Sequence, residues 1–329
     1  MFSTFLFLCY NEDNYKCIKR EKGNTQIMDR KWEIRMKVLN FGSMNLDYVY
    51  AVDHMVQPGE TQSSNGMEVF LGGKGFNQSA ALAKAGVPVY HAGQIGEDGT
   101  IFLDAAKEFA IKDDYIKVCE GKTGHAIIQV DKNGQNCILL YGGGNRTITR
   151  EFVDEVLSGF EKGDILLLQN EINELDYIID QAYAKGMQIY LNPSPFDLAL
   201  DRCDMSKISC FLLNEIEGGQ ISGGETEPDK IVDSILAKYE NAKIVLTLGG
   251  EGSMYADKEK RVRQSICKVE AIDTTAAGDT FTGYFIAGVL KGKTVEETLK
   301  MCAIASGIAV SRKGATPSIP YMEEVEKLL

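Results

Sequence analysis

Short runs rich in β-branched residues and leucine alternate with helical stretches along most of this chain. That rhythm limits the possible folds more than any other feature. Strand candidates fall at 37–42, 88–94, 164–169, 187–191, 210–213 and 243–248. Helical stretches fall at 75–86, 98–110, 149–159, 173–185, 229–240, 277–291 and 294–312. The run at 164–169, Asp-Ile-Leu-Leu-Leu-Gln, is apolar throughout its middle, as a strand covered on both faces must be. Repeated strand–helix alternation predicts an α/β fold, a three-layer α/β/α arrangement around a largely parallel sheet. Right-handed crossovers then put ligand sites at the carboxyl ends of the strands.

Two segments break the rhythm. Residues 47–71 and 118–141 read as consecutive strands with turns such as Gln57-Pro58-Gly59 and Lys132-Asn133-Gly134. Strands with no helix between them predict a small, discontinuous β-sheet standing apart from the main one, placed to act as a lid. Residues 1–36 stand outside both patterns. Phe5-Leu6-Phe7-Leu8-Cys9 is a short apolar run with no basic segment before it, and it is far shorter than a membrane span. Residues 1–36 are therefore expected to be a poorly ordered extension, and 37–329 the working domain.

Composition narrows the function. The chain has 329 residues and a formal charge of −12, which disfavours a nucleic-acid partner, since phosphate backbones need clustered Lys and Arg. Local amides and a metal can still hold a nucleotide on an acidic protein. The cysteines form no CxxC pair, and His54, His91 and His125 lie apart from them. A Cys/His metal site is not expected; the thiols read as small apolar groups in a reducing cytoplasm.

Two glycine-containing turns carry chemistry. Asp273-Thr274-Thr275-Ala276-Ala277-Gly278-Asp279-Thr280-Phe281 opens an apolar helical stretch. Small residues there let a ligand approach the backbone, and the helix start offers free N–H groups and the positive end of a dipole. Asp279 in the first turn could accept a proton from a hydroxyl at the same spot, although the turn by itself fits a simple first-turn acid equally well. Leu71-Gly72-Gly73-Lys74-Gly75-Phe76-Asn77 also opens a helix. It lacks both the P-loop spacing and the later glycine of a dinucleotide fingerprint, which argues against a dinucleotide-dependent oxidoreductase.

Taken together, these turns resemble the two signatures of the ribokinase-like carbohydrate kinases. Further motifs occur in that family's order: Gly42-Ser43-Met44-Asn45-Leu46-Asp47, Gln169-Asn170-Glu171, Asn192-Pro193-Ser194-Pro195, Asn214-Glu215-Ile216-Glu217, Thr247-Leu248-Gly249-Gly250-Glu251-Gly252 and Arg312-Lys313-Gly314-Ala315-Thr316-Pro317-Ser318. The resemblance covers about 37–329. It implies ATP-dependent phosphorylation of a sugar hydroxyl, D-ribose to D-ribose 5-phosphate first, with another pentose, a nucleoside or a furanose-like substrate as the alternative. A non-catalytic sugar-binding regulator is the alternative of another class.

By that resemblance Asp279 is the general base, and the amides of Ala276, Ala277 and Gly278 form an anion hole. Asn45, Asp47, Gly73, Lys74, Asn77 and Glu171 line the sugar pocket. Asn214, Thr247, Gly249, Gly252, Gly278 and, weakly, Ala303 face the nucleotide. Glu217 serves Mg²⁺ through water, and Asp273, Thr275, Ala309, Arg312, Gly314 and Ser318 surround K⁺. The implied partners are the sugar, ATP and a second copy joined through the lid, with no nucleic acid or membrane, in the cytoplasm.

Overall fold

The computed structural model describes residues 5–9, 15–21, 24–30 and 36–329. The chain divides into two units, Met1–Met36 and Lys37–Leu329. In the first, β1 (Phe5–Cys9), β2 (Tyr15–Glu21) and β3 (Asn24–Arg30) pair antiparallel in that order. The expectation of a poorly ordered extension falls partly outside the described residues. Those that are described are paired strands.

The second unit begins with β4 (Val38–Phe41), buried along its whole length. Then come β5 (Asn45–Ala51), β6 (Gly66–Gly72), α1 (Lys74–Lys84), β7 (Val89–Ile95), α2 (Ile101–Glu108), β8 (Lys112–Val118), β9 (Gly124–Val130) and β10 (Asn136–Tyr141). The middle of the chain forms α3 (Arg150–Ser158), β11 (Ile165–Gln169), α4 (Leu175–Ala184), β12 (Gln188–Asn192), β13 (Cys210–Asn214), α5 (Glu215–Ser222), α6 (Pro228–Lys238) and β14 (Lys243–Thr247). It closes with β15 (Ser253–Ala256), β16 (Arg261–Gln264), α7 (Ala277–Leu290), α8 (Val295–Val310) and α9 (Met322–Glu326).

The main sheet has the order β16-β15-β14-β13-β12-β11-β4-β7-β8. It is parallel from β8 to β14, and only the pairings of β15 are antiparallel. Side-chain alternation along β11 divides the core into two layers. Ile165 and Leu167 join Phe76, Phe102, Phe285 and Leu299 on one face. Leu166 and Leu168 join Phe152, Ile178, Ile235 and Phe211 on the other. Each such fully buried side chain contributes roughly 1.5–3 kcal/mol over an exposed one, so the central strands could not be polar.

A second sheet, ordered β10-β9-β5-β6, is the small discontinuous sheet expected, called the lid for the role expected of it. β5 pairs parallel with β9, which joins the two separated segments. Its bounds differ from the sequence expectation. The first segment starts at Asn45, and Val118 ends β8 at the edge of the main sheet, so the second starts only at Gly124. Along β10, Ile138, Leu139, Leu140 and Tyr141 are all more than half exposed.

Candidate active site

Strand ends and the starts of three helices, α1, α5 and α7, converge on a cavity of about 430 Å³. Asn192, Asn214 and Thr247 close β12, β13 and β14, and all three line it together with Lys74, Glu217, Gly249, Ala276, Ala277, Gly278 and Asp279. Ligand-facing residues at carboxyl strand ends are what a parallel sheet provides.

α7 begins at Ala277, preceded by Ala276 in the left-handed region at φ 59°. A side-chain carbon built on Gly278 would meet no atom within 4 Å, so the space above this helix start is open. Ala277 N reaches back to Thr274 O at 3.3 Å, and the N–H groups left free at such a helix start, with the positive dipole end, suit an anion. Asp279 follows in the first turn and is buried. Its Oδ2 accepts from Asn77 Nδ2 at 3.1 Å and its Oδ1 from Gln78 Nε2 at 2.9 Å. Those bonds depend on α1 and α7 lying close together. One turn further on, a Cβ on Gly283 would sit 2.4 Å from that of Ala81, so glycine is what permits the approach.

The loop after β4 meets the start of α1 just as tightly. A Cβ on Gly75 would lie 2.3 Å from Ser43 N. Ser43 Oγ hydrogen-bonds Glu171 Oε2, and Lys74 N donates to the same oxygen at 3.0 Å. Burial raises Glu171 above the usual carboxylate range, though Lys74 and the Ser43 bond pull against it. Burial would lower Lys74, but Asp279, Glu171 and Glu217 around it outweigh that and raise it. On the lid, burial and the nearby Glu171 charge push Asp47 up to about 7.

A scan against family descriptions matches residues 35–322 to "pfkB family carbohydrate kinase". The chain belongs to the pfkB family of carbohydrate kinases. It is 33% identical over 301 residues to a ribokinase of Arabidopsis thaliana, covering 88% of this chain and 79% of that one. It is 34% identical over 302 residues to a ribokinase of Staphylococcus aureus, covering 89% and 99%. Among solved structures, Arabidopsis thaliana ribokinase complexed with ribose and ATP superposes with a TM-score of 0.79 at 30% identity, covering 89% of this chain and 98% of that one.

Within this pfkB frame, the expected residues fall into three groups. Lys74, Asn214, Glu217, Thr247, Gly249, Ala276, Ala277, Gly278 and Asp279 line the one cavity. Asn77 and Glu171 join it through the bonds to Asp279 and Lys74. Asn45 is held beside this region by Asn145, whose Nδ2 donates to Asn45 Oδ1 at 2.7 Å, while Gly73 at φ 86° caps α1.

Asp273, Thr275 and Gly314 form a second cluster. Asp273 Oδ1 accepts from Thr275 N and Oγ1, and Oδ2 from Gly314 N. Burial alone would raise Asp273, but these bonds outweigh it and hold the carboxyl below its usual range. Ala309 O accepts from Arg312 N at 3.1 Å, the Arg312 side chain pairs with Glu324, and Ser318 Oγ donates to Ala315 O at 2.8 Å. Ala303 and Gly252 do not line the cavity. Gly252, at φ 103°, is required by the hairpin, because a Cβ there would lie 2.0 Å from Gln264 O.

Asn214 and Glu217 prove to be a helix cap as well. Asn214 Oδ1 accepts from Glu217 N at 2.9 Å, and Glu217 takes Asn214 N and Nδ2, both at 3.0 Å. Glu217 Oε2 also accepts from Asn192 Nδ2 at 3.5 Å, while Oε1 retains a lone pair for a metal-bound water, so the pair fits Mg²⁺ held at one remove. Among the described residues, no group of three or more His, Cys, Asp and Glu could hold a metal directly.

Sequence reasoning gave no role to Gln78, Gln169, Asn40 or Asn145. Asn40 and Gln169 did carry a signal: amides inside otherwise apolar strands must find partners when buried. No described helix is long and apolar enough to cross a membrane.

Proposed function

We propose that this chain transfers the γ-phosphoryl group of ATP to a pentose hydroxyl, converting D-ribose to D-ribose 5-phosphate, with Asp279 as general base. The observation that carries this reading is a buried carboxylate held at both oxygens in the first turn of α7, directly beside the open helix start of Ala276–Gly278. A base and an anion site that share one turn are suited to deprotonating a hydroxyl where phosphate charge accumulates. Ribokinases related to this chain along most of its length support the substrate.

Asp47 and Glu171 accept hydrogen bonds from the sugar hydroxyls, with Asn45, Gly73, Lys74 and Asn77 completing the pocket. Asp279 takes the proton from the attacking hydroxyl, and the amides of Ala276, Ala277 and Gly278 hold charge on the transferred group. Asn214, Thr247 and Gly249 border the nucleotide. Because such transition states are loose, alignment and charge compensation supply most of the acceleration. Magnesium, when bound, would neutralise phosphate charge, and Glu217 would hold it through water. A potassium ion suits the Asp273–Thr275–Gly314 cluster, whose carboxylate and backbone oxygens match a hard cation. The lid excludes water when it covers the sugar. Its exposed apolar β10 row suits a second copy of the chain, giving a homodimer through the lid. A reducing, ATP-rich cytoplasm is the compartment this chemistry implies.

A coupled ADP-release assay over pentoses, hexoses and nucleosides, with and without K⁺ and Mg²⁺, tests the reading. Ribose should stimulate release most strongly, and K⁺ should increase it. Release that no sugar stimulates overturns the proposal.

A further inference from the structure

Behind Asp279 lies a continuous row of buried polar side chains that the proposed chemistry does not use. Gln78 Nε2 donates to Asp279 Oδ1 at 2.9 Å and also to Asn192 Oδ1 at 3.2 Å. Gln78 Oε1 accepts from Gln169 Nε2 at 2.6 Å. Gln169 Nε2 donates in addition to Asn40 Oδ1 at 3.0 Å. Asn40 Nδ2 donates to Gly75 O at 2.6 Å and to Ser79 Oγ at 2.8 Å. Ser79 Oγ and His91 Nδ1 share a hydrogen bond at 2.8 Å, and His91 Nε2 has no partner among the described residues. Burial holds His91 down to about 4, so its ring is neutral and can accept. All five side chains from His91 to Gln78 are at most 1% exposed.

The row has a direction. An amide is a donor on one side and an acceptor on the other, so each bond decides how the next group must be turned. Ser79 and Gly75 O fix the Asn40 amide with its oxygen toward Gln169. Asn40 and Gln78 then both take the Gln169 nitrogen, which leaves Gln169 Oε1 buried with no partner among the described residues. An unpaired buried acceptor is costly, but turning the amide over would only put its NH₂ where the oxygen now has no partner. The amide stays as it is because the other orientation would set two oxygens against each other at Gln78. With Gln78 Oε1 occupied by Gln169, the Gln78 NH₂ is the side that faces Asp279.

We propose that Gln78 is a positioning residue for the catalytic carboxylate, and that Gln169 and Asn40 lock its amide so that it always presents N–H to Asp279. Asn77 alone would hold one oxygen and leave the carboxylate free to rotate about its Cβ–Cγ bond. Gln78 fixes the second oxygen, so that one lone pair stays aimed at the cavity. A bond to a charged group in a water-poor site is among the stronger ones available. This inference rests on the reading of Asp279 as base.

The test is a double-mutant cycle on turnover, with Gln78→Met, Gln169→Met, the combined variant and Asp279→Asn in parallel, using ribose and ATP. Gln78→Met should lower kcat by about ten- to a hundred-fold with the sugar KM within about threefold. Gln169→Met keeps both Asp279 bonds but frees the Gln78 amide, and should cost a few-fold in kcat. The combined variant should be no slower than Gln78→Met alone, because Gln169 acts through Gln78. Full additivity, unchanged kcat in Gln78→Met, or an equal loss carried in KM overturns the proposal. If Gln78→Met does not fold, the kcat and KM of Gln169→Met decide, and unchanged kcat overturns it. An active Asp279→Asn would instead overturn the reading of the base, and so separates the two failures.

Discussion

At the junction of α1 and α7, Asp279 has both carboxylate oxygens hydrogen-bonded, and Asn77, Gln78 and Thr280 beside it are buried. The lid is built the other way. Its edge strand β10 is exposed at every residue, and Asp47, on β5, carries a carboxyl whose charged form is disfavoured until something accepts it. In the first region both oxygens of the Asp279 carboxylate are matched before any ligand arrives, while Gln169 Oε1 behind them has no partner among the described residues. The second keeps unmet bonding capacity and apolar surface, which a sugar and a partner surface can satisfy. In the proposed reading, chemistry sits on the floor and the lid adds Asn45 and Asp47 to recognition, so substitutions in the two regions should fail in different ways.

The largest effect is expected on the floor. Asp279→Asn should lower kcat by about 10²–10⁴-fold, the range for removal of a general base, read by ADP release. Asp47→Asn should act on recognition instead, raising the sugar KM by about ten- to a hundred-fold with a smaller change in kcat. Its stability should move the opposite way. Folded Asp47 keeps its proton to about pH 7, while the unfolded chain gives it up near the ordinary aspartate value of 3.8. The native state is therefore penalised progressively as pH rises from about 4 through about 7, and fully above that. At pH 8 Asp47→Asn should gain about 1–2 kcal/mol, with solvent screening keeping the figure modest, and no gain at pH 4. A melting series across that range checks the sign.

Gly283→Ala probes what brings the floor together. Its Cβ would press on Ala81, so a loss of about 1–3 kcal/mol is expected, with a parallel drop in kcat as α7 moves away from Asn77 and Gln78. A fully active, fully stable variant would break the packing argument. The smallest effect belongs to the lid surface. Leu139→Asp should convert a dimer to monomer in sedimentation while changing turnover only a few-fold, and an unchanged sedimentation coefficient would remove the lid from the interface.

Much of this arrangement was legible before the structure. The apolar run of β11 announced a two-faced sheet, and the anion turn stood directly before an apolar helix. β8 escaped because Lys112-Asp113-Asp114 reads as polar, as an edge strand covered on one side may be without cost to the core. α5 is hard to see because Asn214-Glu215-Ile216-Glu217 reads as a ligand motif, whereas the same pair caps a helix. Gln78 could not be found from spacing. Its role depends on how closely α1 approaches α7, and that distance is set by Gly283 and Ala81, 202 residues apart in the chain (283 − 81).

Calorimetric titration of ribose into Asp279→Asn tests the division of labour most directly. The account predicts binding within about threefold of the native protein alongside turnover reduced by orders of magnitude. A loss of affinity of about tenfold or more would make Asp279 a sugar-binding group and contradict the assignment of chemistry to the floor.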